Sequence, residues 1–274
     1  MDLNTITEVA RPRSRAQLPN WTAGDAWLAG GTWLFSEPQS HLTRLIDLND
    51  LQWPALTIND NGLDIAATCT IAELSALSAT SGWRAAPLFD QCCRAFLASF
   101  KIWKTATIGG NLCLALPAGP MISLTTALNG ICTIWTPDGH ERHLGILDFI
   151  TGAQRNALAS GELLRKILLP STALQQRTAF RQISLSPVGR SAALLIGTSA
   201  DHAPFTLTIT ASTIKPVQLV FDAMPSPAAL RDRILGDIPD EFYHTDVHGK
   251  PAWRKQMTLR LADEIHAELS GGSP

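Results

Sequence analysis

From Thr105 to Pro137 the chain carries no charged residue. An uncharged run of that length either crosses a membrane or lies inside a folded domain, since about 20 apolar residues span a bilayer as a helix. Gly109, Gly110, Pro117, Gly119, Pro120 and Gly130 interrupt the run, and Thr, Ser and Asn are scattered through it. A lipid-facing helix needs an unbroken internal hydrogen-bond ladder. The run therefore predicts a buried loop, a helix and a strand, with something polar lying against the loop backbone.

The rest of the composition agrees with a chain that has much to bury. Of 274 residues, 45% are hydrophobic and only 17% charged, below the usual ~25%. Part of the surface is then weakly polar or covered by a partner. Eight Trp against one Tyr suit an interface or a core equally. With 22 basic and 24 acidic residues there is no basic excess, which excludes nucleic acid as a partner. The cysteines are Cys69, Cys92, Cys93, Cys113 and Cys132. Their spacing lets no set of thiolates converge on one metal, so no metal site is expected and the thiols read as reduced and cytoplasmic. Arg11, Arg13 and Arg15 with no apolar run beside them predict no signal peptide.

Along the chain, residues 26–30 and 45–49 read as strands of a small βαβ unit. Asp60-Asn61-Gly62 turns a hairpin within 55–67, and the T-x-x-E box Thr70/Glu73 starts a helix reaching Leu77. A second helix is predicted over 85–101, and a third over 121–128 that stops at Asn129-Gly130. Strands follow at 131–135, 140–144 and 162–169, then a linker at 171–176. The remainder reads as three antiparallel strands (178–184, 192–197, 205–210) and helices over 226–235 and 252–269. In the last helix Trp253, Met257, Leu261, Ile265 and Leu269 form a packing stripe, with Arg254 off that line.

Two glycine pairs carry the chemistry: Ala29-Gly30-Gly31-Thr32 and Thr107-Ile108-Gly109-Gly110-Asn111. Consecutive glycines let a backbone approach an anion closely and point successive N–H groups at it. Thr32, Thr107 and Asn111 add side-chain donors. Two such loops can clamp one diphosphate from two sides; the plainer reading is two tight turns after strands. No nucleophile–base constellation is evident, so no catalytic residue is assigned. His244 and His248 have metal-pair spacing but lack a third ligand, and His140 and His143 read as exposed.

AGGT (29–32), RLIDLNDL (44–51), TATIGGNL (105–112), PAG (117–119), LDF (147–149) and ELLRKILLP (162–170) together resemble the flavin-binding chain of the molybdenum hydroxylases, the xanthine and carbon monoxide dehydrogenase family. AFRQISLS (179–186), SAALLIG (191–197) and DVHGKPAWRKQM (246–257) resemble its C-terminal domain. The resemblance implies an α+β fold. Residues 1–170 would form a two-subdomain FAD-binding domain of vanillyl-alcohol-oxidase (PCMH) type, divided into 1–53 and 54–170. Residues 177–270 would form a small C-terminal domain with a three-stranded antiparallel sheet and helices.

The same resemblance implies the cofactor FAD. Leu28, Ala29, Gly30, Gly31, Thr32, Trp33 and Leu34 fall on its first diphosphate loop, and Thr107, Ile108, Gly109, Gly110 and Asn111 on the second. Leu97 falls near the cofactor, Leu164 against the flavin ring, and Arg181 where relatives carry a Lys near the flavin. Relatives commonly place an Asp on the FAD sugar or ribityl hydroxyls; here Pro120 stands there, with neither carboxylate nor N–H. Losing such a charged hydrogen bond costs ~1.5–3 kcal/mol. The implied partners are an iron–sulfur subunit and a molybdenum-cofactor subunit, with NAD+ or another molecule as electron acceptor, no membrane and a cytoplasmic location. A flavin-free scaffold and a self-contained FAD oxidoreductase are the alternatives.

Overall fold

A computed structural model describes residues 3–77, 82–200 and 204–271. Strands β1 (Glu8–Ala10), β2 (Asp25–Leu28) and β3 (Arg44–Asp47) form a parallel sheet in the order β1-β3-β2. The Arg44 guanidinium ties the sheet together, donating to Asp25 Oδ1 at 2.8 Å and Oδ2 at 2.6 Å. No helix joins β2 to β3, against the βαβ expectation. A single turn, Phe35 N–H to Gly31 O at 2.9 Å, ends near Pro38, and the intervening residues offer no apolar stripe to bury.

The expected hairpin forms from β4 (Leu56–Asn59) and β5 (Gly62–Ala66), and α1 (Ile71–Leu77) starts at its capping box. There Thr70 N–H donates to Glu73 Oε2 at 2.8 Å and Glu73 N–H to Thr70 Oγ1 at 3.2 Å. The helix expected over 85–101 is broken into α2 (Ala86–Ala95) and α3 (Phe100–Trp103). At the break Trp103 Nε1–H donates to Phe96 O at 3.1 Å, satisfying a carbonyl the helix would otherwise have used. Then come α4 (Ile108–Leu114) and α5 (Pro120–Ala127).

Every residue of α5 is buried, which explains the uncharged run. Gly130 follows Asn129, a non-glycine at φ 53°, where the helix stops as expected. Strands β6 (Ile131–Trp135) and β7 (Glu141–Gly145), short α6 (Ile146–Phe149), β8 (Ile150–Gly152), β9 (Arg155–Asn156) and β10 (Leu163–Pro170) complete this part. The main sheet runs β4-β5-β10-β6-β7, antiparallel at every pair. The expected linker contains helix α7 (Ser171–Leu174) instead, because Ala173 and Leu174 are buried and Leu174 O accepts from Ala85 N–H at 3.1 Å.

The C-terminal sheet has four strands, not three: β11 (Arg177–Ile183), β12 (Ala193–Ser199), β13 (Phe205–Thr210) and β14 (Val217–Phe221), in that order and antiparallel. The fourth is a half-exposed edge strand behind Pro216, with Val220 facing solvent, so its sequence lacks the apolar signature of its neighbours. Helix α5 packs against one face of this sheet, through Ser123 Oγ and Thr210 Oγ1 at 2.6 Å and Gln218 Nε2 to Thr126 O at 3.1 Å. Helices α8 (Pro227–Asp237) and α9 (Pro251–Leu269) cover the other face. Among the described residues no helix is long and apolar enough to cross a membrane.

Candidate functional site

A cavity of about 720 Å³ opens where the two glycine segments meet. Their contact is direct: a Cβ on Gly30 would lie 1.9 Å from Thr105 O, so only glycine lets the first segment reach the second. Gly31 then turns through φ +66°, in the left-handed region that glycine enters without cost. Ala29, Gly30, Gly31, Thr32, Trp33 and Leu34 line one part of the cavity; Thr107, Gly110 and Asn111 line another, with Leu97 and Phe96 beside them. The break between α2 and α3 puts Phe96 and Leu97 there.

The two segments differ in what they offer. In the second, the N–H groups of residues 108–111 are engaged. Ile108 donates to Cys69 O at 2.8 Å, Gly109 to Ala67 O at 2.9 Å, Gly110 to Thr107 Oγ1 at 3.1 Å and Asn111 to Thr107 O at 3.0 Å. The segment is the capped first turn of α4, not a loop of free donors. Ile108 and Gly109 are buried behind the wall, and a Cβ on Gly109 would sit 2.5 Å from Ala67 Cβ. A Cβ on Gly110 would meet only Thr107 Oγ1, at 3.0 Å, with the cavity on its open side. In the first segment the N–H groups of Gly30, Gly31, Thr32, Trp33 and Leu34 have no acceptor among the described residues. Successive free amides around a left-handed glycine make an anion-binding concavity.

Asn111 Oδ1 accepts from Met121 N–H at 3.2 Å, which leaves its amide hydrogens for a ligand. Pro120, the first residue of α5, also forms wall, as do Trp27 and Cys113, the latter thiol pushed up to about 12 by burial. Among the described residues no carboxylate lines the cavity, and Arg190 and His248 are its ionisable members besides Cys113. No motif pointed to Arg190, and His248 stood out only for its metal-pair spacing with His244 and its place in the 246–257 block, neither of which marks it for this cavity. Three of the residues assigned from sequence stand apart. Leu28 ends β2 and is not in the wall, Leu164 is 2% exposed in the core beside β6, and Arg181 pairs with Glu264 at 3.2 Å and Glu268 at 2.8 Å. Among the described residues no group of three His, Cys, Asp or Glu side chains could hold a metal ion; His248 faces the cavity, while His244 lies 3.4 Å from Asp246.

The free amides and the open glycine face fit a flavin dinucleotide, whose diphosphate needs close backbone approach. Residues 5–172 match the family model for the FAD binding domain in molybdopterin dehydrogenase. Xanthine dehydrogenase 1 of Arabidopsis thaliana is 29% identical over 124 residues, covering 43% of this chain and 9% of that protein. Caffeine dehydrogenase subunit beta of Pseudomonas sp. (strain CBB1) is 27% identical over 186 residues, 65% of this chain and 61% of that subunit. The chain thus spans less than two thirds of the length of either relative. Its fold matches a chain of reconstituted CO dehydrogenase from Oligotropha carboxidovorans with a TM-score of 0.79 at 21% identity, over 97% of this chain and 99% of that one. With more than half its length matched by the family model, the chain belongs to the FAD-binding domain family of the molybdopterin dehydrogenases.

Proposed function

We propose that the chain is the electron-transfer subunit of a molybdenum hydroxylase complex. It takes electrons from an iron–sulfur subunit and passes them to NAD+ or another acceptor, while a molybdenum-cofactor subunit oxidises the organic substrate. The observation that carries the reading is the run of acceptor-free amides from Gly30 to Leu34 along the cavity wall. When bound there, FAD supplies the redox chemistry.

This chain's residues bind and orient. The amides of 30–34 and the Thr32 hydroxyl hold the diphosphate, and the Thr107 hydroxyl and Asn111 amide donate from the facing turn. Gly110 gives the ligand room, Ile108 and Gly109 brace that turn from behind, and Leu28 and Ala29 end the strand that delivers the first segment. Leu97, Phe96 and Trp33 shield the flavin from water. Leu164 and Arg181 take no direct part, the first buried and the second paired to α9. We divide the chain into a PCMH-type FAD-binding domain at 1–170 (subdomains 1–53 and 54–170) and a C-terminal domain at 177–270. Five unpaired cysteines support a reducing, cytoplasmic setting.

Pro120 favours the rival reading of a flavin-free scaffold, because it offers the sugar hydroxyls no carboxylate. A visible absorption spectrum of the chain, purified under gentle conditions with mass spectrometry of what accompanies it, tests both. Bound flavin together with an iron–sulfur and a molybdenum subunit supports the proposal. A colourless chain within that complex supports the scaffold. A lone, flavin-loaded chain that oxidises substrate unaided overturns the subunit reading.

A further inference from the structure

The C-terminal part of the chain also reaches the cavity. Val188 and Arg190 enter its wall from the connection between β11 and β12, and His248 from the loop before α9. Among the described residues Arg190 is the one guanidinium of that wall, and no lysine joins it. No hydrogen bond or ion pair holds it among the described residues, and no carboxylate of the wall offers one. Most other arginines of the C-terminal part are paired: Arg181 with Glu264 and Glu268, Arg231 with Asp263, Arg233 with Asp237 and Arg260 with Glu264.

Both segments are held by one buried guanidinium. Arg254, 1% exposed, donates to Ala192 O at 2.5 Å, Ala211 O at 2.6 Å and Gly249 O at 3.1 Å, and pairs with Asp246. Ala192 lies two residues beyond Arg190, and Gly249 directly follows His248. Burying a guanidinium is expensive unless its donors are met; here two of the three carbonyl acceptors, Ala192 O and Gly249 O, belong to the segments that enter the wall, and the third, Ala211 O, anchors them to the end of β13. A hydrophobic residue would fill the same space but would fix neither segment.

We infer that the C-terminal part supplies the counter-charge of the cofactor site. Arg190 meets the phosphate charge of the dinucleotide, and Arg254 is the positioning residue that keeps the Arg190 and His248 segments at the wall. The inference rests on the FAD assignment. It assigns the negative ligand two kinds of partner, neutral amides from the N-terminal part and a cation from the C-terminal part.

The test is fluorescence titration of the full chain with FAD and, separately, with riboflavin, which has the ring but no phosphate. Arg190→Gln is expected to raise the FAD dissociation constant about three- to tenfold, the scale of a solvent-accessible charge-assisted contact. It should flatten the salt dependence of FAD binding and leave riboflavin binding unchanged within about twofold. Arg190→Lys should recover most of the loss. Asp246→Asn, which loosens Arg254, should also weaken FAD more than riboflavin, and should add little when combined with Arg190→Gln; a merely structural role would weaken both ligands and add fully. Wild-type FAD binding with Arg190→Gln unchanged, or with FAD and riboflavin weakened equally, overturns this inference alone. A wild-type chain that binds neither ligand overturns the cofactor assignment beneath it.

Discussion

Gly109 and Gly110 are neighbours in one turn of helix, yet alanine at each should do opposite things. At Gly109 the new Cβ would stand 2.5 Å from Ala67 Cβ and 2.6 Å from Ala67 O. Backbone cannot yield cheaply there, because Gly109 N–H also donates to Ala67 O at 2.9 Å. Overpacking of this kind costs ~1–3 kcal/mol, and each kcal/mol lowers the melting temperature of a chain this size by roughly 2–4 °C. At Gly110 the Cβ meets only Thr107 Oγ1, at 3.0 Å. The helix gains up to ~1 kcal/mol from replacing glycine, so the apo chain should melt at the wild-type temperature or up to ~4 °C above it. The same methyl group stands in the space where the cofactor's backbone-hugging part would lie. A clash of ~1–3 kcal/mol there weakens FAD about five- to 150-fold. Thermal melts of the apo variants and isothermal titration with FAD separate the two effects. Gly110→Ala with wild-type FAD affinity would refute the placement of the ligand, and Gly109→Ala with an unchanged melt would refute the packing argument.

Thr107→Ala removes the side-chain cap on Gly110 N–H and should cost ~1 kcal/mol in urea denaturation, with Thr107→Ser near wild type; equal stability of all three would show the cap to be idle. The hydrogen bond from Arg44 holds the Asp25 carboxyl below its usual range against the cost of burial, and Arg142 does the same for Glu162. Lowered carboxyls stabilise fully above the unfolded range near pH 4, and that stability is lost as pH falls through the folded values. Asp25→Asn and Glu162→Gln should therefore lower stability at pH 7 and flatten its decline below about pH 4; a decline as steep as wild type would exclude both pairs from acid unfolding. Burial pushes the Cys93, Cys113 and Cys132 thiols up to about 12, so alkylation of the native chain at pH 8 should be slow. Cys113, at the cavity wall, should react first and be slowed by FAD; mass mapping that finds Cys92 modified first would contradict the burial.

What the sequence made legible is what local pattern controls. The uncharged run 105–137 announces a buried segment, and α5 is buried all round. The capping box at Thr70, the stop at Asn129 and the Asn-Gly hairpin all depend on residues within a few positions of each other, and all stand where expected. The glycine pairs marked the cavity for the same reason. Illegible were the features decided across the fold. Whether the amides of 108 and 109 are free depends on Cys69 O and Ala67 O, about 40 residues upstream. Whether 85–101 is one helix depends on where the Trp103 indole finds an acceptor. Arg254 stands off the packing stripe of its helix; its burial depends on carbonyls of Ala192 and Ala211, which no helical period reveals.

That difference between the two glycine segments bears on how the site works. The turn at 108–111 has its backbone donors met by the protein itself, so its geometry exists before any ligand arrives and binding need not pay to order it. The segment at 30–34 is the reverse: its donors have no protein acceptor, and it hangs between a short parallel strand and a connection without a helix. Half-buried amides left to water stabilise the apo chain little, so this segment draws its order from what binds it. A negatively charged ligand that satisfies several amides at once then stabilises the folded chain by mass action, and does so mainly where the fold is weakest. On the proposed function, a rigid wall on one side and a ligand-completed grip on the other explain why both glycine segments are needed although only the first offers backbone donors.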